Sequence, residues 1–145
     1  MTGTLITVAP TGAETAKADC PQLPTTMAEL VETAVACESA GASLIHLHIR
    51  DADHRPSLDA VLLRETVQAL LAEGWKKIVL NLSEVTTLDS AGLGELVAGL
   101  RLCKASGAGL KLLNASERVH STIYIARLLP IFETYQSEKD ALAAF

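Results

Sequence analysis

The chain has 145 residues, of which 49% are hydrophobic and 20% charged, enough for one good core and too few for two ordinary domains. Its formal net charge of -5, with no cluster of Lys or Arg, argues against a nucleic-acid or anionic-membrane partner. No apolar run could cross a bilayer, no basic leader opens the chain, and its three cysteines are far apart, so we expect one cytoplasmic domain over residues 1–145.

Short apolar runs alternate with stretches of helical period along the whole chain. This alternation is typical of successive β-α units that form a parallel sheet. Each apolar run is short enough for a buried strand. The predicted strands are Leu5 to Ala9, Leu44 to Ile49, Lys77 to Leu82, Leu110 to Asn114 and Phe132 to Tyr135.

The intervening helices carry start and stop signals. Thr26 with Glu29 makes a capping-box pattern, and an apolar stripe follows it until Gly41. The second and third predicted helices end at Gly74 and Gly107. Ser116 opens a fourth helix that Pro130 stops, and Ser137 opens a short last helix.

We therefore predict an α/β fold with an open, mainly parallel five-stranded sheet in sequential strand order. The helices are expected mostly on one face of that sheet, as in a superhelix of β-α units. A flavodoxin-like, doubly wound order is the alternative.

The second predicted strand contains a pair of histidines, in the run IHLHIRD. Strict alternation along a strand places His46, His48 and Arg50 on one face. Two imidazoles at this spacing can reach one cation, although a zinc site needs at least three protein ligands. The alternative interpretation is two solvated histidines.

The segments TVAPTGAETAKADCPQLP and HLHIRDADHRPSLD resemble the first two β-α units of the zinc-dependent β-keto acid cleavage enzymes, which are TIM barrels. The resemblance covers residues 1–74. It implies that His46 and His48 correspond to metal ligands and that Glu14, with Arg50, belongs to a vestigial substrate site.

The remaining ligands and acid/base groups of that family come from strands that this chain does not supply. A TIM barrel needs eight β-α units and about 250 residues, so one copy of this chain cannot close it. We therefore expect no enzyme activity, no required cofactor and at most weak zinc binding. Residual metal-dependent cleavage is the least favoured function.

The second half carries KIVLNLSEVTTLDSAGLG, followed by LKLLNASERV and ETYQSEKDALAAF. Residues 75–145 are similar to the C-terminal part of STAS-domain anti-sigma-factor antagonists. The resemblance implies that Ser90 is a phosphate acceptor for a kinase that is also the anti-sigma factor. A serine at the start of a helix lies beside unpaired backbone N–H groups, which would tolerate a phosphate.

A structural interpretation of this helix-start motif is equally concrete. Asp89 or Ser90 caps the helix, and Gly92 and Gly94 allow it to pack closely. The chain also departs from the STAS pattern, since Asn81 stands where Asp is common and the first strands of that family are absent.

The two resemblances meet at a seam near residues 73–77, where both families pass from a helix through a glycine into a strand. We interpret the chain as an engineered fold chimera without native catalytic activity. The alternative is a STAS-type module phosphorylatable on Ser90, whose partner would be an anti-sigma-factor kinase. Self-association into a dimer is a further expectation, because an uncovered sheet face or edge favours pairing.

Overall fold

This computed structural model describes residues 6–12, 14–57 and 59–145. The chain divides into two units, Met1–Glu73 and Gly74–Phe145. The boundary lies at the start of the predicted seam. Whether the two units unfold as the single domain expected from the sequence stays a prediction.

The first unit contains strands β1 (Thr7–Val8) and β2 (Leu44–Ile45) and helices α1 (Met27–Ser39) and α2 (Ala60–Ala72). The two strands pair in parallel. The capping box predicted at the start of α1 is present, because Thr26 Oγ1 accepts from the N–H of Glu29 while Glu29 accepts from the N–H of Thr26. The core includes buried residues of both helices and the preceding loop, namely Leu23, Leu30, Ala34 and Leu71.

Both strands of this unit are shorter than predicted. Leu5 lies outside the described residues, and β2 ends at Ile45 rather than Ile49. β2 is short because its neighbour β1 offers only a few backbone groups for hydrogen bonding. The last backbone hydrogen bond of this pairing joins the His46 N–H to the Val8 carbonyl. Further along, Arg50 forms an isolated antiparallel bridge with Pro56 instead.

The second unit holds most of the regular structure. Its strands are β3 (Lys77–Asn81), β4 (Gly109–Leu113) and β5 (Glu133–Tyr135), and its helices are α3 (Ser90–Ala105), α4 (Glu117–Ile125) and α5 (Glu138–Ala143). The parallel sheet has the order β3-β4-β5, with β4 in the centre and largely buried. Strands and helices therefore follow one another in the predicted order.

The two faces of β4 carry different neighbours. Leu110 packs toward α3, where a side chain at Gly99 would lie 3.9 Å from it. A Cβ atom added to the adjacent Gly109 would be directed to the opposite face, where the ring of Phe145, the residue that ends the chain after α5, already fills the space. Because successive strand residues alternate between faces, the second unit has covering elements on both faces of its sheet. The expectation of helices mostly on one face of the sheet stays a prediction, since α3 and Phe145 lie on opposite faces of β4.

The α/β class and the parallel, sequential strand pairing are confirmed. The single five-stranded sheet is not what the structure shows, since the described strands form one two-stranded and one three-stranded sheet. Two residues of β2 cannot sustain a long ladder of hydrogen bonds. The pairings within each unit occur in both a sequential and a flavodoxin-like order, so they do not distinguish these alternatives. None of the described helices has the length and apolar character needed to cross a membrane.

Candidate functional site

His46 and His48 follow β2 and stack on each other, with ring centroids 4.8 Å apart and ring planes inclined by 22°. The backbone N–H of His48 donates to Thr11 Oγ1 at 3.3 Å, which ties this segment to the loop after β1. Burial lowers the pKa of His48, and the charges of His46 and Arg50 lower it further. The His48 imidazole is thereby biased toward its neutral form, which is the form that binds metals.

This histidine pair alone does not make up a zinc site. Structural and catalytic zinc sites use at least three protein ligands in tetrahedral directions. The described part of the chain contains no group of three or more His, Cys, Asp or Glu side chains that could hold a metal ion. The described residues therefore supply two neighbouring imidazoles and do not fit the zinc that the resemblance implies.

Glu14 and Arg50, the predicted remnants of a substrate site, line one cleft of about 360 Å³ in the first unit. Glu14 is exposed, whereas Arg50 is only 4% exposed. The Arg50 guanidinium donates to the Gly12 carbonyl at 3.0 Å and to the His54 carbonyl at 3.4 Å. Its hydrogen bonds thus join the loops after β1 and β2, and the described lining of the cleft does not include the histidine pair.

Residues 51–55, several of which line this cleft, form a loop that hydrogen bonds from side chains stabilise. Asp51 Oδ1 accepts from the backbone N–H groups of Asp53 and Arg55, both at 2.9 Å. His54 adopts a left-handed backbone conformation with φ of 65°, and its Nδ1 lies 2.8 Å from Thr25 Oγ1. Short polar side chains that bond to nearby backbone groups stabilise such turns.

The start of α3 carries the predicted phosphate acceptor. Asp89 precedes the helix in an extended conformation, and its Oδ1 accepts from the Gly92 N–H at 2.8 Å. Ser90 is the first helical residue and is exposed. The cap is therefore supplied by Asp89, so the Ser90 hydroxyl is not needed for it. The role of Ser90 as a phosphate acceptor stays a prediction.

The two glycines of this motif have different surroundings. A Cβ atom on Gly92 would lie 2.6 Å from Leu88 Cδ1, which means that a side chain here would displace the Leu88 methyl group. A Cβ atom on Gly94 would meet nothing within 4 Å. Close packing thus explains Gly92, but it does not explain Gly94.

Sequence reasoning missed one charged cluster, which surrounds Lys111 in the central strand of the second unit. The Lys111 side chain is only 5% exposed, and its Nζ lies 2.5 Å from Glu133 Oε2. The available signal was a lysine inside the otherwise apolar run LKLL. Its significance depends on the register of β4 with β5, which pairs Lys111 with Glu133 and cannot be obtained from either strand alone.

Comparison with known proteins shows that the chain is similar to a family of cleavage enzymes. The family model of the beta-keto acid cleavage enzymes matches residues 4–128. The chain is 39% identical over 66 residues to a 3-keto-5-aminohexanoate cleavage enzyme of Fusobacterium nucleatum, covering 46% of this chain and 24% of that protein. It is 34% identical over 107 residues to a 3-oxoadipate:acetyl-CoA acetyltransferase of Cupriavidus necator, covering 73% and 36%. The chain thus spans about a quarter to a third of these relatives.

A second relationship covers the C-terminal part of the chain. A protein of Thermotoga neapolitana named as an anti-sigma factor antagonist is 35% identical over 72 residues, covering 50% of this chain and 64% of that protein. The crystal structure of an anti-sigma factor antagonist from Thermotoga maritima superposes with a TM-score of 0.54 at 30% identity. It covers 59% of this chain and 74% of that one.

The two similarities overlap, since the cleavage-enzyme match continues beyond residue 74, where the sequence resemblance was expected to end. The chain belongs to the beta-keto acid cleavage enzyme family, and its C-terminal part is related in sequence and fold to the anti-sigma factor antagonists.

Proposed function

We propose that this chain is a fold chimera, produced by engineering, that has no β-keto acid cleavage activity. The observation that carries the proposal is the histidine pair: among the residues that the structure describes, His46 and His48 are two neighbouring donors without a third ligand, where zinc needs at least three.

An engineered origin is supported by the position at which the two units meet. The boundary between Glu73 and Gly74 falls in the short turn from α2 to β3. Gly74 has a φ of 100°, a conformation that glycine adopts without strain. A turn of this kind allows a helix of one parent to be followed by a strand of another without disturbing either element.

The absence of activity is tested with the substrates of the relatives. The protein is incubated with zinc, acetyl-CoA and either 3-oxoadipate or 3-keto-5-aminohexanoate, and product formation is compared with zinc alone. We expect no product above that blank. Product formation that is lost in His46→Ala would overturn the proposal.

Zinc binding is measured separately by isothermal titration calorimetry, with His46→Ala and His48→Ala as matched controls. We propose that no cofactor is required and that the wild-type protein binds zinc weakly if at all, because two imidazoles leave the ion mostly hydrated. Tight binding at one zinc per monomer that disappears in either variant would contradict this. Binding that survives in both variants would point to other ligands.

A second candidate function is a partner-binding module that is phosphorylated on Ser90. It is supported by the exposed position of Ser90 in the first turn of α3, where backbone N–H groups and the helix dipole favour an anion. Its partner would be an anti-sigma-factor kinase. A kinase recognises surfaces beyond one serine, and the first strands of the antagonist fold are replaced here, so we expect poor phosphorylation.

This candidate is tested by incubating the wild-type protein and Ser90→Ala with a purified anti-sigma-factor kinase and radiolabelled ATP. Slow incorporation that is equal in both proteins supports the inactive chimera. Efficient incorporation into the wild-type protein alone, together with tight kinase binding, would establish the partner-binding module instead.

Self-association is also part of the proposal. Several large apolar side chains of the first unit are exposed, among them Ile6, Met27 and Val61. Burial of such surfaces against a second copy is a common way to cover them. Light scattering should give the mass of a dimer, and a monomer at micromolar concentration would contradict this.

We also place the protein in a reducing compartment, the cytoplasm. Cys20, Cys37 and Cys103 are free thiols in the structure, and disulfides are rare in that compartment. Burial raises the pKa of the Cys103 thiol, which makes it unreactive. Cell fractionation with a C-terminal tag would test the location.

A further inference from the structure

Lys111 is a buried cation in the middle of the second unit. It belongs to the central strand β4, and the whole residue is only 4% exposed. Its Nζ lies 4.9 Å from the centre of the Phe145 ring and 5.6 Å from that of Tyr135. Charged lysines are rarely buried unless a partner compensates for the lost water, and the aromatic faces supply part of that compensation.

The remaining compensation comes from one carboxylate oxygen. Lys111 Nζ donates to Glu133 Oε2 at 2.5 Å, and the Tyr135 hydroxyl donates to the same oxygen at 3.1 Å. The parallel register produces this convergence, because Lys111 pairs with Glu133 and Leu113 pairs with Tyr135 on one face of the sheet. Two donors directed at a single oxygen, one of them a buried ammonium, form a receptor for a carboxylate.

The carboxylate that fills this receptor is the most exposed member of the cluster. The Glu133 side chain is 61% exposed, whereas that of Lys111 is 5% exposed. Hydrogen bonds from Lys111 and then Tyr135 are the main causes that lower the pKa of Glu133. Its carboxylate therefore approaches the donors from the solvent side, and rotation of the Glu133 side chain would leave both donors without this acceptor.

Two further lysines lie near this cluster. The Lys77 ammonium lies 5.9 Å from the centre of the Phe145 ring, and Lys104 is close enough to contribute to the lowered pKa of Glu133. Lys111 and Lys104 thus act on Glu133, and Lys77 lies beside the same Phe145 ring as Lys111. An acidic ligand would be attracted there although the chain as a whole has a net charge of -5.

We propose that Lys111 and Tyr135 form a carboxylate-binding site for an acidic side chain of a partner protein, and that Glu133 occupies this site in the free chain. The Phe145 and Tyr135 rings provide an apolar wall for the methylene groups of such a side chain. Glu133 acts as an intramolecular competitor, because its tether gives it a high effective concentration. The site is independent of Ser90 and of the histidine pair.

The test uses Glu133→Ala, which removes the competitor, and a fluorescently labelled hexaglutamate peptide as the probe. We expect this variant to bind the peptide at least tenfold more tightly than the wild-type protein in low-salt buffer at pH 7. The double variant Glu133→Ala/Tyr135→Phe should bind several-fold more weakly than the single variant, because one donor is lost. Glu84→Ala is the matched control, since Glu84 is an exposed acid elsewhere in the same unit, and it should bind like the wild-type protein.

A second measurement avoids dependence on the peptide. The melting temperature of Glu133→Ala is recorded in sodium acetate and in sodium chloride at equal ionic strength. A larger and saturable rise in acetate, reduced by the added Tyr135→Phe change, supports the site. Equal behaviour in the two salts, or equal peptide binding by Glu133→Ala and Glu84→Ala, would overturn it.

Discussion

Gly94 should be replaceable by alanine with a gain in stability, and Gly92 should not. Both residues lie within α3, where glycine is less favourable than alanine by about 1 kcal/mol. Gly94 is exposed, and a Cβ atom added to it would have no neighbour within 4 Å, so Gly94→Ala introduces no clash. Part of the gain arises in the unfolded chain, which loses conformational freedom. We expect Gly94→Ala to raise the free energy of unfolding by about 0.5 to 1 kcal/mol.

Gly92→Ala starts from the same helix propensity but meets an obstacle. The new methyl group would lie 2.6 Å from Leu88 Cδ1, so the Leu88 side chain must rotate away from its position. A forced rotamer change costs about 0.5 to 1.5 kcal/mol, which offsets most or all of the gain. The two variants have the same composition and differ only in where the methyl group is placed. We therefore expect Gly92→Ala to be less stable than Gly94→Ala by about 1 kcal/mol.

The measurement is urea unfolding followed by the fluorescence of Trp75, the single tryptophan, which lies in the same unit as α3. For Gly94→Ala the midpoint should rise with an unchanged slope, and the melting temperature should rise by about 2 to 6 °C. Lower stability of Gly94→Ala than of the wild-type protein, or equal stability of the two variants, would refute the reasoning.

Three further predictions concern the cap, the pH dependence and the cooperativity of the fold. Asp89→Ala should lower the free energy of unfolding by about 0.5 to 2 kcal/mol, whereas Ser90→Asp should change it little; urea unfolding of both variants checks this. Hydrogen bonds from Lys17, Thr26 and Thr25 lower the pKa of Glu29. The stability that ionised Glu29 contributes is therefore fully present above its pKa in the unfolded chain, and it is lost as the pH falls toward its lower pKa in the folded protein. Glu29→Gln should therefore melt below the wild-type protein at pH 7, and the difference should shrink steadily in acid. A fragment ending at Gly74 should not fold alone, because a two-stranded sheet is marginally stable, and dispersed amide signals from it would contradict this.

The order of elements could be predicted from the sequence because it depends on local signals. The capping box of Thr26 and Glu29 and the strands beginning near Lys77 and Leu110 are patterns contained in a few neighbouring residues. The length of β2 could not be predicted in this way. It depends on how many backbone groups β1 offers, which is a property of the partner strand.

The candidate site also has parts that local sequence patterns predict and parts that depend on distant segments. The spacing of the two histidines in the sequence predicted that they lie side by side, and their rings do stack, although both residues follow β2 rather than belonging to it. The choice of Asp89 rather than Ser90 as the cap required the backbone geometry at the start of α3. The Lys111 cluster required the register between β4 and β5, which no single segment encodes.

The net charge of the chain illustrates why composition alone misjudges the partners of such a protein. Up to Glu73 there are ten acidic and four basic residues, whereas from Gly74 onward there are seven acidic and eight basic residues. The whole acidic excess therefore lies in the part that carries the histidine pair. The second unit, which contains Lys111, is by contrast nearly neutral in sequence. The net charge of -5 therefore describes the first unit and says little about which partners the second unit attracts.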